Sequence, residues 1–403
     1  TGNYRRERTM RKVYMDHMST TPTDPRVVEE MLPFFTENFG NPSSHLHSYG
    51  LRAKKAVDES RAKVADLINA KPEEIIFTFT GSESNNLALR GLALANRDRG
   101  KHIIISEVEH YSILYTAREL EKEGFRVSYI KVDKDGIIDP EDVAKAINKD
   151  TFLVSIMHAN NEIGVIQPIE EIGKITKEKG IIFHTDAIAT AGVIPVDVTE
   201  LGVDSLSLTS HTFYGPKGIA ALYVKEGTEI VSIIKGGAQE GGLRPGTDNI
   251  PAIVGMGKAA ELAKTEMKSR IEHLTPLRDK IIKALPDKIK YLHFTGHLTQ
   301  RLPGHVSFWI SFAEGESLVL FLNYNGIAIA SGSACSSPDL QASHVLTAIG
   351  VPPDVCHGSI TVSLGKDNSE EDVDYFLETL PKVIDKCWQM SPLYEDEMNK
   401  EQA

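Results

Sequence analysis

The sequence predicts an α/β protein, with a large domain built on a mostly parallel sheet and a smaller α+β domain packed beside it. Three observations carry this expectation. From about residue 71 to 224, short β-branched runs alternate with helical patterns. Such alternation implies right-handed crossovers and a sheet covered on both faces. Residues 253–285 then keep apolar positions at three- and four-residue spacing, the signature of one long helix. After it the order changes to strand, helix and short strand, as in an α+β unit.

The elements follow in chain order. Residues 1–12 (TGNYRRERTMRK) are basic, lack the apolar core and cleavage site of a secretory signal, and read as a solvated arm. Buried strands are predicted at 74–80 (EIIFTFT), 102–106 (HIIIS), 127–131, 152–157 (FLVSIM), 181–184 (IIFH) and 205–209. Helix chemistry fills the intervals, as at 112–122 and 168–179. In the long helix, Pro276 predicts a kink or break. Beyond it, 305–312 (HVSFWISF) reads as an alternating strand, 316–322 as a helix and 327–329 as a short strand before a Ser/Gly/Ala loop. The charged tail 395–403 reads as unstructured. Ligands of parallel sheets lie beyond the carboxyl ends of the strands, so functional residues are expected directly after them, in a cleft between the two domains.

Composition narrows the function classes. The 403 residues carry 44 Lys+Arg against 56 Asp+Glu, a net charge of −12. That balance argues against a dedicated nucleic-acid or anionic-membrane binder, whose phosphate contacts need clustered Lys and Arg. No apolar run approaches the ~20 residues of a membrane span. Three cysteines, Cys335, Cys356 and Cys387, form no CxxC pair, which excludes a disulfide framework and a zinc ribbon and suits a reducing cytosol.

Several side chains fall where the ligand is expected. Asp186 ends a buried strand in His184-Thr185-Asp186; a carboxylate there is costly to bury without a partner. It is either the N-cap of a helix starting near Ala187 or an acid facing a cationic ring nitrogen or metal, and position alone leaves both open. The run from Thr78 to Asn86 (TFTGSESNN) leads a strand into a helix start. Gly81 and Ser82 there offer N–H groups and a hydroxyl to an anion, although an ordinary Ser cap with Glu nearby is the simpler reading. No GK[ST] ending follows, so it is not a Walker loop. His110 and His211 both follow strands; a lone His is more often structural, but two at equivalent strand ends favour a site. His45 and His47 lack a third ligand at metal spacing. Cys335 lies among small polar residues (ASGSACSSP, 330–338), a setting for a reactive thiol, whereas Cys356 and Cys387 read as packing residues.

Taken together, YMDHMSTTP (14–22), GNPSSH (40–45), VEH (108–110), MHANNEIG (157–164), YGPKG (214–218), GLRPGT (242–247) and SGSAC (331–335) resemble the cysteine desulfurases of the NifS/IscS class, from about Val13 to Leu393. The resemblance implies a fold-type I aminotransferase-like architecture with a seven-stranded sheet, a homodimer, and pyridoxal phosphate as cofactor. It implies a division into an N-terminal arm and small-domain segment (1–25), a large domain (26–265) and a small C-terminal α+β domain carrying the Cys335 loop (266–403). In that family sulfur passes from cysteine to a loop cysteine as a persulfide, for iron–sulfur scaffolds. Carried over by position, His110 is similar to the ring-stacking histidine and Asp186 to the partner of the pyridine nitrogen. Asn161 matches a cofactor-contacting Asn. Ser82, Thr209 and His211 match positions around the phosphate, Thr247 one that reaches the partner subunit's cofactor, and Cys335 the persulfide cysteine.

Three positions depart from the family pattern. Thr212 stands where the Schiff-base lysine belongs, and a hydroxyl can neither form that imine nor shuttle protons as an amine does. Lys217 belongs to the separate GPKG motif. Ala189 replaces the Gln at the cofactor's phenolic oxygen, and Thr361 the Arg that would grip a substrate carboxylate. The phosphate turn is altered as well, with Phe79-Thr80 for Ser-Gly. The expectation is therefore a desulfurase relative of iron–sulfur assembly and sulfur transfer, cytoplasmic and homodimeric. It contacts neither nucleic acid nor membrane, and ordinary Schiff-base turnover is lost. Cys335, with His110 and His211 the catalytic candidates, would serve a scaffold protein as persulfide carrier or as ligand to a shared [2Fe–2S] cluster. Pyridoxal phosphate would be held, if at all, without an internal aldimine. Two alternatives stand beside this: an enzyme using non-covalent pyridoxal phosphate with His211 as base on a different substrate, and a structural subunit of a mixed dimer.

Overall fold

The computed structural model describes residues 11–332 and 342–402. The basic arm up to residue 10 and the Cys335 segment lie outside the described residues. Twelve strands are numbered in chain order: β1 (Val13–Tyr14), β2 (Ile75–Thr78), β3 (His102–Ser106), β4 (Arg126–Ile130), β5 (Thr151–Ser155), β6 (Ile182–Asp186), β7 (Ser205–Thr209), β8 (Ala220–Val224), β9 (Leu292–Phe294), β10 (His305–Ile310), β11 (Ile327–Ala328) and β12 (Ser359–Ser363).

Seven of them form one sheet in the order β2-β8-β7-β6-β5-β3-β4. Neighbours from β7 through β4 pair in parallel, while β8 runs antiparallel to both β7 and β2. The carboxyl ends of β2, β3, β5, β6 and β7 therefore share one edge. The fold is the mostly parallel α/β architecture read from the sequence. Only β8 escaped that reading, because AALYV carries two alanines and too little β-branched signal.

Burial on both faces explains the composition of these strands. In β7 (SLSLT), Leu206 and Leu208 join a large apolar cluster with Phe183, Ile156 and Val154. Ser205 and Ser207 point to the other face and are satisfied there, Ser205 Oγ by Tyr223 O (2.9 Å) and Ser207 Oγ by His184 Nε2 (3.1 Å). His184 also meets Ser155 Oγ at 2.8 Å, so it is a partnered core histidine, held neutral by burial with its pKa pushed down to about 3.

A single helix, Ile250–Lys288, leaves this region. Its N-terminal half packs in the first cluster, while Leu274, Leu277, Ile281 and Leu285 enter a second one. Of the kink or break expected at Pro276, the break does not occur: the helix is continuous from Ile250 to Lys288. The lost hydrogen bond, with a cost of about 3 kcal/mol, is offset by the apolar residues on either side. The second cluster covers the sheet β12-β10-β9 and includes Val13 and Met15, which enter with β1 as it pairs in parallel with β11. The tail was read as unstructured; instead Pro392–Gln402 is helical. Tyr394 stacks on Trp388 at 4.9 Å and 7°, so an aromatic anchor outweighs the charged composition. Cys356 and Cys387 are buried, as their reading as packing residues requires. Among the described residues no helix is long and apolar enough to cross a membrane.

Candidate functional site

Five sheet strands end around a cavity of about 300 Å³. Its wall carries Ser82, His110, Asn161, Asp186, Thr209 and His211, with Ala189 beside them. Six positions from five separate motifs thus converge, at the last residue of a strand, in the loop that follows one or at a helix start.

After β2 the chain turns into helix Gly81–Ala95. Its N-cap is Thr80, whose hydroxyl accepts from Glu83 N at 3.1 Å. The simpler sequence reading had a Ser cap; Ser82 is instead in the first turn, so its hydroxyl is spared for the cavity. Glu83 braces the turn, accepting from Phe79 N at 2.8 Å and from Arg244 Nε at 2.9 Å. Free N–H groups of a helix's first turn attract anions, so this end of the cavity suits a phosphate despite the altered Phe79-Thr80 pair.

Asp186 closes β6 and is buried. No helix begins after it: residues 187–190 form a turn, in which Ile188 N donates to Asp186 Oδ1 at 2.9 Å. The N-cap reading is thereby replaced by a turn. Asn85 Nδ2 donates to Asp186 Oδ2 at 2.7 Å. Burial raises the Asp186 pKa, opposed by the nearby His110, the Ile188 amide and Asn85. Among the described residues it has no ion-pair partner.

His110 caps helix Tyr111–Lys122. Its Nδ1 accepts from Ser112 N at 3.1 Å and meets Ser112 Oγ at 2.7 Å. An Nδ1 that accepts from a backbone amide carries no proton, so the ring presents Nε2–H. Behind it Glu109 is fully buried, held by Ser106 Oγ (2.6 Å) and Met157 N (2.9 Å), and burial pushes its carboxyl up to about 8.

His211 stands in the turn Ser210–Thr212 after β7. Its Nδ1 is buried without a partner; burial and the nearby Lys217 lower its pKa. The next residue, Thr212, faces elsewhere. It lines a separate, smaller cavity together with Ala189, and its hydroxyl donates to Thr209 O at 3.1 Å. Lys217 opens onto a third cavity and reaches Thr21 O at 3.4 Å, away from the large one.

Two sequence candidates, Thr247 and Thr361, do not line the large cavity. Thr247 is exposed on the loop after residue 242. Thr361 sits on β12, where its hydroxyl donates to Glu162 O at 3.2 Å. Cys335 lies outside the described residues, although the chain on its far side is tied to the site: Ser343 Oγ donates to Glu162 Oε2 at 2.5 Å and His344 Nε2 meets Glu109 O at 2.9 Å. His47 caps helix Ser48–Leu67 by accepting from Gly50 N at 3.2 Å, a structural use for a residue discounted as a ligand. Among the described residues no group of three His, Cys, Asp or Glu side chains could hold a metal. Sequence reasoning missed Asn85, Ser112 and Glu109. Asn85 lies within the quoted TFTGSESNN run, but only the folded helix shows that it faces Asp186.

Comparison with known proteins places this geometry. The family model described as "Aminotransferase class-V" matches residues 13–376. The chain is 50% identical to "Cysteine desulfurase IscS" of Dictyoglomus turgidum over 386 residues, covering 96% of this chain and 98% of that protein. It is 51% identical to "Cysteine desulfurase IscS" of Methanosarcina thermophila over 381 residues, 94% of each. Among solved structures, a "NifS-like protein" superposes with a TM-score of 0.87 at 38% identity, covering 93% of this chain and all of the other.

Proposed function

We propose, from the premise that the chain belongs to the aminotransferase class-V family and is similar throughout to cysteine desulfurases, that it is a desulfurase-like protein of iron–sulfur cluster assembly which has lost Schiff-base turnover. In this reading Cys335 is the working group, carrying a sulfane sulfur or ligating iron for a scaffold protein. The observation that carries it is the pairing of a retained SGSAC loop with threonine at position 212.

The residues present fit the cofactor the family implies, pyridoxal phosphate. The buried Asp186 carboxylate, hydrogen-bonded but without an ion-pair partner among the described residues, suits a cationic ring nitrogen, and His211 Nδ1, unpartnered among the described residues, and the helix start at Gly81 suit its polar substituents. Asp186 would hold the ring nitrogen, His110 the ring face, Asn161 its edge, and Ser82, Thr209 and His211 the phosphate side, with Thr247 serving the partner copy's site. When bound, the cofactor supplies an electron sink for carbanion chemistry. The chain itself offers no amine at position 212, no Gln at 189 and no Arg at 361.

The proposed division at residues 25/26 and 265/266 is supported by the two apolar clusters, whose members change along the long helix. Cluster assembly on a co-purified scaffold tests the main reading: Cys335→Ala is expected to abolish it, and unchanged assembly would sink the idea.

A second reading is favoured by His211. Because burial lowers its pKa, it keeps a free lone pair on the cavity wall at neutral pH and suits a general base. The protein would then use non-covalent pyridoxal phosphate on a substrate other than cysteine. Retention of the cofactor through dialysis, lost in Asp186→Ala, supports this; failure to bind added cofactor removes it.

A further inference from the structure

Beside the large cavity lies one of about 50 Å³, sharing Met18 and Ala189 with it as a common wall. Thr212, Tyr214 and Arg270 also line it. Arg270 comes from the long helix Ile250–Lys288 and is 8% exposed. Its Nη2 pairs with Glu266 Oε2 at 2.8 Å, and its guanidinium carbon lies 4.9 Å from the centre of the Tyr214 ring. Its Nε and Nη1 are buried and have no partner among the described residues.

Two unmatched donors on a permanently charged group are costly in a closed wall. Among the described residues no carboxylate lines this cavity. Its two histidines, His17 and His305, have lowered pKa values because they are buried, His305 down to about 3, so Arg270 is the one permanent charge in the lining. Glu266 does not neutralise it alone, since it also accepts from Arg26 Nη1 at 2.7 Å. Arg26 and Lys366 share Asp24 in turn. Three cations thus share these two carboxylates; Asp367, whose charge also acts on His17 and Tyr214, is exposed and lines a different cavity.

We propose that this cavity is a carboxylate site, with Arg270 as its cation. Its volume of about 50 Å³ exceeds the roughly 10–15 Å³ that one water needs, which leaves room for a carboxylate group. The carboxylate belongs either to a free acid of formate size or to a larger molecule seated in the main cavity and reaching across the Met18–Ala189 wall. A bulkier apolar side chain at position 212 would fill the same space, so the small threonine is what leaves room for an anion. The free acid would bind whatever the large cavity holds, whereas the larger molecule rests on the reading of that cavity as a pyridoxal phosphate site.

The test is the line width of ¹³C-formate added to the full-length protein at fixed ionic strength. Broadening is expected with the parent chain, at least tenfold weaker in Arg270→Gln and partly kept in Arg270→Lys. Thr212→Leu, which plugs the cavity and leaves Arg270 in place, is expected to abolish it, and decides the matter if Arg270→Gln does not fold. Equal broadening in the folded Arg270→Gln and Thr212→Leu variants overturns the site, and displacement of formate by equimolar chloride overturns its carboxylate character. Displacement by L-alanine in the presence of pyridoxal phosphate identifies a substrate carboxylate as the source, and formate binding that L-alanine leaves intact identifies a free small acid.

Discussion

Asn85 joins Asp186 to the opposite wall of the large cavity: one amide nitrogen donates to Asp186 Oδ2 at 2.7 Å and to Ser112 Oγ at 2.8 Å. Ser112 in turn meets His110 Nδ1 at 2.7 Å. The acid and the ring flanking the cavity are thus aligned by one helix residue. Asn85→Ala removes a hydrogen bond from a buried carboxylate, and a loss of about 1–3 kcal/mol is expected in urea unfolding. A loss below a few tenths of that would mean Asp186 is held without Asn85.

Thr212→Lys is expected to let pyridoxal phosphate be fixed to the chain by borohydride, seen as a mass increase absent from the parent protein. Sulfide release from L-cysteine should stay at background, because Ala189 and Thr361 remain. Full turnover on this single change would show that those two positions are not needed.

Glu109 gives a pH signature. Its folded pKa of about 8 lies above the ordinary carboxyl value, so the folded protein binds a proton that the unfolded chain releases. The stability tied to that proton is complete below about pH 4.5 and is lost as pH rises through 8. Glu109→Gln should therefore gain on the parent protein by the order of a few kcal/mol between pH 5 and 9. Parallel stability curves would place Glu109 in contact with water or a cation.

The homodimer implied by the resemblance can be tested at residues 28–51. Phe35, Phe39 (62% exposed), Leu46 (90%) and Leu51 are each exposed, although large apolar side chains are usually buried. Sedimentation of Phe39→Asp/Leu46→Asp is expected to show a shift from dimer to monomer. A parent chain that sediments as a monomer would remove the expectation.

Much of this was legible before folding, for reasons particular residues make plain. Strands such as HIIIS and FLVSIM are buried on both faces, so their β-branched runs announce them. The parallel topology then fixes where Asp186, His110 and Thr209 must emerge. What stayed hidden depends on long-range packing. β8 is a pair of alanines that only its neighbours β2 and β7 make into a strand. The tail helix depends on Tyr394 finding Trp388. Thr212 follows His211 in sequence yet lines another cavity, a difference of direction that no spacing rule contains. Arg270 looks like one more charged position on a helix until Tyr214 and the small cavity bury it.

The helix Ile250–Lys288, 39 residues and about 58 Å long, feeds side chains into both apolar clusters. Neither can melt without unwinding part of the rod that the other grips. The two halves of the chain are therefore mechanically in series, and thermal or chemical unfolding should follow a single cooperative transition. Backbone amides near the midpoint of the rod would be among the last to exchange with deuterium.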